Sequence, residues 1–337
     1  MRLAVGLFVW LFCWTTLLPA ASAAAEPPIV IQFSHVVSAD TAKGKAALKF
    51  KELAEARTGG KVRVEVYPNS QLYKDREELD ALRLGAVQML APSMSKLTGV
   101  GGSDFEVFDL PFLIRDHAAF RKVVDGPVGA GLLRRLQDNG IQGLAFWDNG
   151  FKVFAAKRPL RTPEDLRGLR IRVQASRVLV WQMQALGAEP SVSPLINVHD
   201  ALRQGALDGE ENTPANIYTQ NNHALEEHIT LTQHGYLAYV VIVNKTFWER
   251  LPAAIRQTLE GAMRDATAYE NSIAETENNR ALERLRAQKR VQIVVPDAAQ
   301  MGLWHSALEP VYRSAAGWIR PDLPDLVRQT GQPASAH

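Results

Sequence analysis

Apolar and polar positions along this chain alternate between two periods, one suited to strands and one to helices. Residues 29–37 form an apolar strand signal. Residues 41–58 then carry Ala47, Phe50, Leu53 and Ala54 at helical spacing, and Gly59-Gly60 stops the helix. Val62, Val64 and Val66 alternate with charged residues before Pro68, so the first segment predicts a βαβ unit and a parallel sheet. Residues 75–84 predict another helix, 86–90 a short buried strand, 117–125 and 127–139 two more helices, and 141–147 a strand. Between them, residues 105–114 are strongly apolar and hold Asp109-Leu110-Pro111-Phe112.

The second half repeats the grammar. Thr162-Pro163-Glu164-Asp165-Leu166 has an N-cap threonine, a proline at the first helical position and acids in the first turn. Gly168 ends that turn, after which Leu169, Ile171 and Val173 alternate with Arg170, Arg172 and Gln174, the period of a strand with one buried face. A guanidinium projecting from such a strand is a rigid planar fork suited to a carboxylate; an arginine on a solvated strand face is the competing reading. Residues 177–186 predict a helix and 189–192 a strand, a second βαβ unit. Residues 197–204 and 215–223 read as helical, 206–210 and 236–243 as strands. Residues 252–289 keep a helical pattern with no glycine after Gly261, a length of about 55 Å, more than one lobe needs. Residues 291–295 predict a last strand and 298–318 a C-terminal helix; the tail after Gly331 is small and polar.

One echo organises this list. Ala81-Leu82-Arg83-Leu84-Gly85-Ala86 recurs as Ala201-Leu202-Arg203-Gln204-Gly205-Ala206, each a helix end, a glycine cap and a strand start. The strands run into polar turns at Ser93 and Asn212. Two similar α/β lobes sharing one crevice would follow, and in open α/β sheets ligands bind at the strand C-termini.

Composition narrows the class. Arg2, the nearly uncharged apolar run of residues 3–18 and the alanines of 20–25 read as a cleaved secretory signal over residues 1–25. The single cysteine, Cys13, lies within it, so the mature chain has no disulfide and no thiol chemistry. Formal net charge is +2 with the basic residues dispersed, which argues against a nucleic-acid surface. Gly-x-Ser-x-Gly, His-Glu-x-x-His, phosphate-loop and dinucleotide fingerprints are missing from the sequence. His223 and His228 are spaced poorly for a shared metal, and Glu210 and Glu211, adjacent on a strand, face opposite ways. The chain reads as no enzyme, with no cofactor and no metal.

Seven ordered motifs then resemble the solute-binding proteins of tripartite ATP-independent periplasmic (TRAP) transporters, nearest the C4-dicarboxylate-binding subgroup. They are Phe33-Ser34-His35-Val36-Val37, Tyr67-Pro68-Asn69-Ser70-Gln71-Leu72, Phe108-Asp109-Leu110-Pro111-Phe112, Trp147-Asp148-Asn149-Gly150-Phe151-Lys152, the Arg172 stretch, Asp208-Gly209-Glu210-Glu211-Asn212-Thr213-Pro214 and His234-Gly235-Tyr236. The resemblance implies a two-lobed α/β periplasmic binding protein of type II-like fold, with crossing hinge strands and a long helix spanning both lobes. Lobe I is expected over residues 28–149 plus 238–277, and lobe II over 150–237 plus 278–330. The family's signature arginine falls on Arg172, a second cationic contact on Lys152 and the completing amide on Asn212. Ser93 is expected to offer a hydroxyl from across the cleft, Lys43 and His35 to hold a distal carboxylate, Asn149 and Tyr236 to line the site and Gln174 to support Arg172. Asp75, at the rim, reads as a helix N-terminal acid, and Leu195 as a wall for a small, non-cyclic acid. The implied partners are a small organic acid and the small and large membrane subunits of a TRAP permease; the implied state is a periplasmic monomer. A 2-oxo, aromatic or sugar acid is the rival solute, and a ligand-presenting module for a membrane sensor kinase the rival role.

Overall fold

A computed structural model describes residues 27–332. The secretory signal read at residues 1–25 and the end of the tail, from residue 333, lie outside the described residues. The strands are β1 (Ile29–Ser34), β2 (Val62–Tyr67), β3 (Met89–Leu90), β4 (Ile141–Phe151), β5 (Val153–Ala156), β6 (Arg170–Val173), β7 (Glu189–Val192), β8 (Gly209–Asn212), β9 (His228–Thr230), β10 (Tyr236–Asn244) and β11 (Gln292–Val294). They form two sheets, a five-stranded one in the order β2-β1-β3-β10-β4 and a six-stranded one in the order β11-β9-β5-β8-β6-β7.

Each sheet is the floor of one lobe. The expected βαβ units hold: β1 pairs parallel with β2 and β3, and β6 pairs parallel with β7 and β8. The sheets are nevertheless mixed rather than parallel throughout. The chain crosses between lobes at β4–β5 and returns at β9–β10, so β10 runs antiparallel to β4 and β3, and β5 antiparallel to β8 and β9. The two crossings lie side by side, with Tyr236 opposite Phe151, and the Lys152 amide between β4 and β5 donates to the Gly235 carbonyl at 2.9 Å.

The expected spine is a 35-residue helix, Ala253–Ala287, about 52 Å long. It bonds to both lobes. Trp147 donates its indole N–H to Thr267 at 2.9 Å, and Glu270 accepts from the Asp148 amide at 2.8 Å. Asn278 donates to the Asn149 carbonyl at 2.6 Å and accepts from the Ala215 amide at 3.0 Å, joining the end of β4 to helix Pro214–Thr219 in the second lobe. The helix expected over residues 298–318 divides into Ala298–Leu308 and Pro310–Ala315, because Pro310 cannot donate within a continuing helix and takes its first position instead. The strand expected over residues 86–90 contracts to β3.

The echo is a real structural repeat. Gly85 and Gly205 take φ of +77° and +72°, and Ala86 and Ala206 donate back to the carbonyls of Ala81 and Ala201 at 2.9 and 2.8 Å. Only a residue without a Cβ adopts this left-handed cap without strain.

Helix Ala42–Arg57 starts beneath the cleft. Thr41 caps it, its hydroxyl accepting from the Gly44 amide at 3.2 Å. A Cβ on Gly44 would fall 2.5 Å from Ser38 O, Ala39 Cα and Ala39 O, all backbone atoms that cannot swing aside. Gly44→Ala is expected to destabilise the fold by about 1–3 kcal/mol, read as a lower midpoint in urea unfolding.

Candidate functional site

The site is built around the end of β6. Upstream, Thr162 and Asp165 close a reciprocal capping box on the short turn Pro163–Leu166, and Gly168, at φ +71°, turns the chain into the strand. Ile171 and Val173 are fully buried, as the alternation requires. The opposite face has two fates. Arg170, near the strand start, forms a bidentate pair with Asp208 at 2.9 Å and stays half-exposed. Arg172, two residues on, lies where the lobes meet and is only 2% exposed, although the strand pattern by itself is compatible with a solvated face.

Arg172 reaches a narrow interior cavity bounded from both lobes. The first lobe and the crossing strand contribute Val36, Val37, Ser93, Lys96, Leu237 and Tyr239; the second lobe contributes Arg172, Gln174, Leu195, Asn212 and Asn216. The Arg172 Nε donates to the Ser193 carbonyl at 3.0 Å, which fixes the guanidinium plane. Among the described residues that is its one hydrogen bond, leaving the outer nitrogens of the fork for a ligand. Burial holds its pKa below the ordinary arginine range, while Glu210 and Glu211 favour the charged form.

Four of the expected residues meet there: Arg172, Gln174, Ser93 and Asn212. Ser93 donates its hydroxyl to the Gln174 side-chain oxygen, a bond from one lobe to the other. Asn212 is held by its neighbours. Its amide donates to Glu210 at 2.9 Å, and its oxygen accepts from the Thr213 amide and Asn216, both at 3.0 Å.

The other five stand outside the cavity lining. Lys43 is 1% exposed, donates to the Ala91 carbonyl at 2.9 Å and lies 3.7 Å from the centroid of the Tyr239 ring. Burial pushes it down to about 7, against the pull of Glu78 and Glu270. His35 is fully buried next to it and held neutral, with a pKa near 3 from burial and then from the Lys43 charge. Asn149 donates to the Tyr239 hydroxyl at 2.6 Å, so it positions a lining residue rather than lining the cavity itself. Tyr236 donates to Asp148 at 2.6 Å and packs edge-on against Phe151 at the crossing strands.

Lys152 sits in the hinge. It is fully buried, 2.9 Å from Glu211 and 3.6 Å from Asp109, and has no path to the cavity through that pairing. Burial raises Asp109 to about 6 against the Lys152 charge, and raises Glu211 as well. A lysine enclosed by two carboxylates has its charge already spent. Glu210 and Glu211 do face opposite ways, one toward Asn212 and Asn222, the other toward Lys152.

Three polar cavity residues, Lys96, Tyr239 and Asn216, were not among those expected from the sequence. Lys96 follows the echoed strand by one turn and is the second cation in the cavity, paired with Asp75. Burial, then the Lys43 and Arg172 charges, push its pKa well down. Tyr239 and Asn216 join across their side chains, the Asn216 amide donating to the tyrosine hydroxyl at 3.4 Å. The polar turn after β3 pointed at Ser93, and the same turn carries Lys96; a polar tyrosine inside an otherwise apolar strand was the signal for Tyr239.

Two α/β lobes, hinged on antiparallel crossings and presenting Arg172 and Lys96 from opposite sides of one seam, define a receptor for a small anion. This chain belongs to the bacterial extracellular solute-binding proteins of family 7, whose family model matches residues 33–317. It is 52% identical over 293 residues to the C4-dicarboxylate-binding periplasmic protein DctP of Rhodobacter capsulatus, covering 87% of this chain and 88% of that one. Among solved structures it is similar to a TRAP periplasmic solute-binding protein of Shewanella oneidensis with bound succinate (TM-score 0.89, 39% identity, 91% of this chain and 100% of that one). Another, from Pseudomonas aeruginosa with bound L-malate, matches with a TM-score of 0.83 and 41% identity over 85% of this chain and 100% of that one. The family is one of receptors, not enzymes.

Two expectations follow from the buried charges. Lys152→Ala leaves Glu211 and Asp109 without their cation and should cost about 3–5 kcal/mol in urea unfolding at pH 7. For His35 the folded pKa near 3 lies below the ordinary 6.5, so the folded form binds fewer protons between those values and loses stability as pH falls. His35→Gln should therefore gain on the wild type by about 1.4 kcal/mol for each pH unit below 6.5, measured from unfolding curves at pH 7 and pH 5.

Proposed function

We propose that the chain is the periplasmic receptor of a TRAP transporter and captures a C4-dicarboxylate such as malate, succinate or fumarate. The observation that carries this reading is the placement of Arg172 and Lys96, from opposite lobes, on one small cavity. A diacid needs a cationic or donor group at each end. Arg172 takes one carboxylate through its free fork, with Gln174 and Asn212 beside it. Lys96 takes the other, the role the sequence had suggested for Lys43 and His35. Leu195, Val36 and Val37 wall the short apolar middle between the two grips.

In this reading the lobes, 28–149 plus 238–277 and 150–237 plus 278–330, move about the crossing strands. The ligand binds the closed form better than the open one and shifts the population toward it. Closure excludes water, which strengthens both charge-assisted contacts, and presents the closed surface to the small and large membrane subunits of the permease. Export through a cleaved leader, and action as a monomer, complete the proposal. Micromolar affinity requires about −8 kcal/mol, within reach of two charge-assisted grips after ordering costs.

Thermal-shift screening of organic acids followed by calorimetry tests this directly, because a ligand of the folded form raises its melting temperature. Succinate, malate or fumarate should bind and galacturonate or a 2-oxo monoacid should not; the reverse order would sink the dicarboxylate reading. Arg172→Lys should weaken succinate binding by well over tenfold, since the ammonium keeps the charge but loses the fork. Lys96→Gln should weaken succinate at least tenfold while changing butyrate binding little, as a monoacid has no second carboxylate to lose.

A further inference from the structure

Asp75 has a placement that neither ligand contact nor helix capping explains. The helix it precedes begins at Glu77, and its first turn carries its own acids, Glu77, Glu78 and Asp80. Asp75 instead turns into the cleft and is 6% exposed. One carboxylate oxygen accepts from the Leu195 amide at 2.7 Å, 120 residues away in the second lobe. The other pairs with the Lys96 ammonium, which lines the cavity. Leu195 lines the same cavity, and its amide opens the short turn Leu195–Asn197 directly after Pro194.

We infer that Asp75 is the latch of the closed receptor: its carboxylate locks the first lobe to the Leu195 amide while holding Lys96 toward the distal end of the bound acid. The inference rests on the reading of the cavity as an organic-acid site. The geometry explains why one carboxylate serves both tasks. Lys96 stands among the like charges of Arg172 and Lys43 and needs a fixed counter-charge to stay in the cavity. The Leu195 amide is the donor at the start of a turn, unsatisfied by its own backbone, and in the closed form only the opposite lobe supplies an acceptor. Opening the lobes separates Asp75 from Leu195 and exposes both to water, so the bond counts only in the closed form. Asp75 is thus a positioning residue: it slows release without itself selecting the solute.

The test uses Asp75→Ala and, as an independent way to remove the same bond, Leu195→Pro. Proline at 195 deletes the amide hydrogen, and the preceding residue, at ψ 144°, already has the geometry that a following proline requires. Because it also exchanges the leucine side chain that lines the cavity, Leu195→Ala, which keeps the amide, is the control and should release more slowly than Leu195→Pro. Stopped-flow release of succinate should speed up by about tenfold or more in each variant, with association changed less than about twofold. The double variant should release no faster than Asp75→Ala alone, because the Leu195 amide has no acceptor left once the carboxylate is gone. Lobe separation is read in parallel, with and without succinate, from a fluorescent pair attached at Glu52→Cys and Arg167→Cys, one exposed site on each lobe. The variants should shift it toward open even without ligand. Release rates and lobe separation equal to wild type, or single effects that multiply in the double variant, would overturn the latch. Wild-type protein that ignores every diacid but still opens on Asp75→Ala would retain the latch and remove the dicarboxylate reading.

Discussion

The structure depends on positive charge held out of water at the seam between two lobes. Arg172 is buried and the Lys96 side chain only 8% exposed, and both are pushed toward their neutral forms by that enclosure. Nothing in the cavity neutralises the arginine fork completely, so an anion that bridges the lobes relieves a desolvation cost as well as making contacts. On the proposed reading, a cleft that is poor company for its own cations favours a ligand that brings negative charge to both ends. Val36, Val37 and Leu195 form the apolar stretch between those ends.

The other buried charges of the protein are closed off from this work. Lys152 lies between Glu211 and Asp109 at the crossing strands, and Tyr236 with His117 and Asp148 forms a second polar cluster beside it. These groups pair with one another where the chain crosses between the lobes. Ion pairing at short range ties the two crossing strands together there through Lys152, Glu211 and Asp109. The long helix adds a third connection through Asn278, which bonds to both lobes. Two lobes, a charge-paired crossing and a cationic seam are the ingredients of a two-state receptor.

Much of this was legible in the chain. The period of Ile29, Phe50, Val62 and Val64 announced the first βαβ unit, and the repeated Ala-Leu-Arg-x-Gly-Ala frame announced that there would be two lobes. The uninterrupted helical pattern after Pro252 announced the spine. Arg172 was legible as an arginine on a strand, and its role came from the surrounding motifs. The break at Pro310 follows from a local rule that a pattern extended across residues 298–318 overrode.

The choice among lysines was not legible. Lys43 and Lys152 are buried and the Lys96 side chain nearly so, and neither sequence position nor polarity separates the three. Three-dimensional partners do: Lys152 is enclosed by two acids, Lys43 is turned against the Tyr239 ring, and Lys96 faces the cavity. Asp75 is the same case, since a bond to Leu195 spans 120 residues and leaves no local trace. Local period and turn chemistry act within a few residues, so the sequence by itself determined the elements, their order and the doubling of the lobes. Which side chains share a cleft depends on how two sheets approach one another, and the tertiary structure alone decided that.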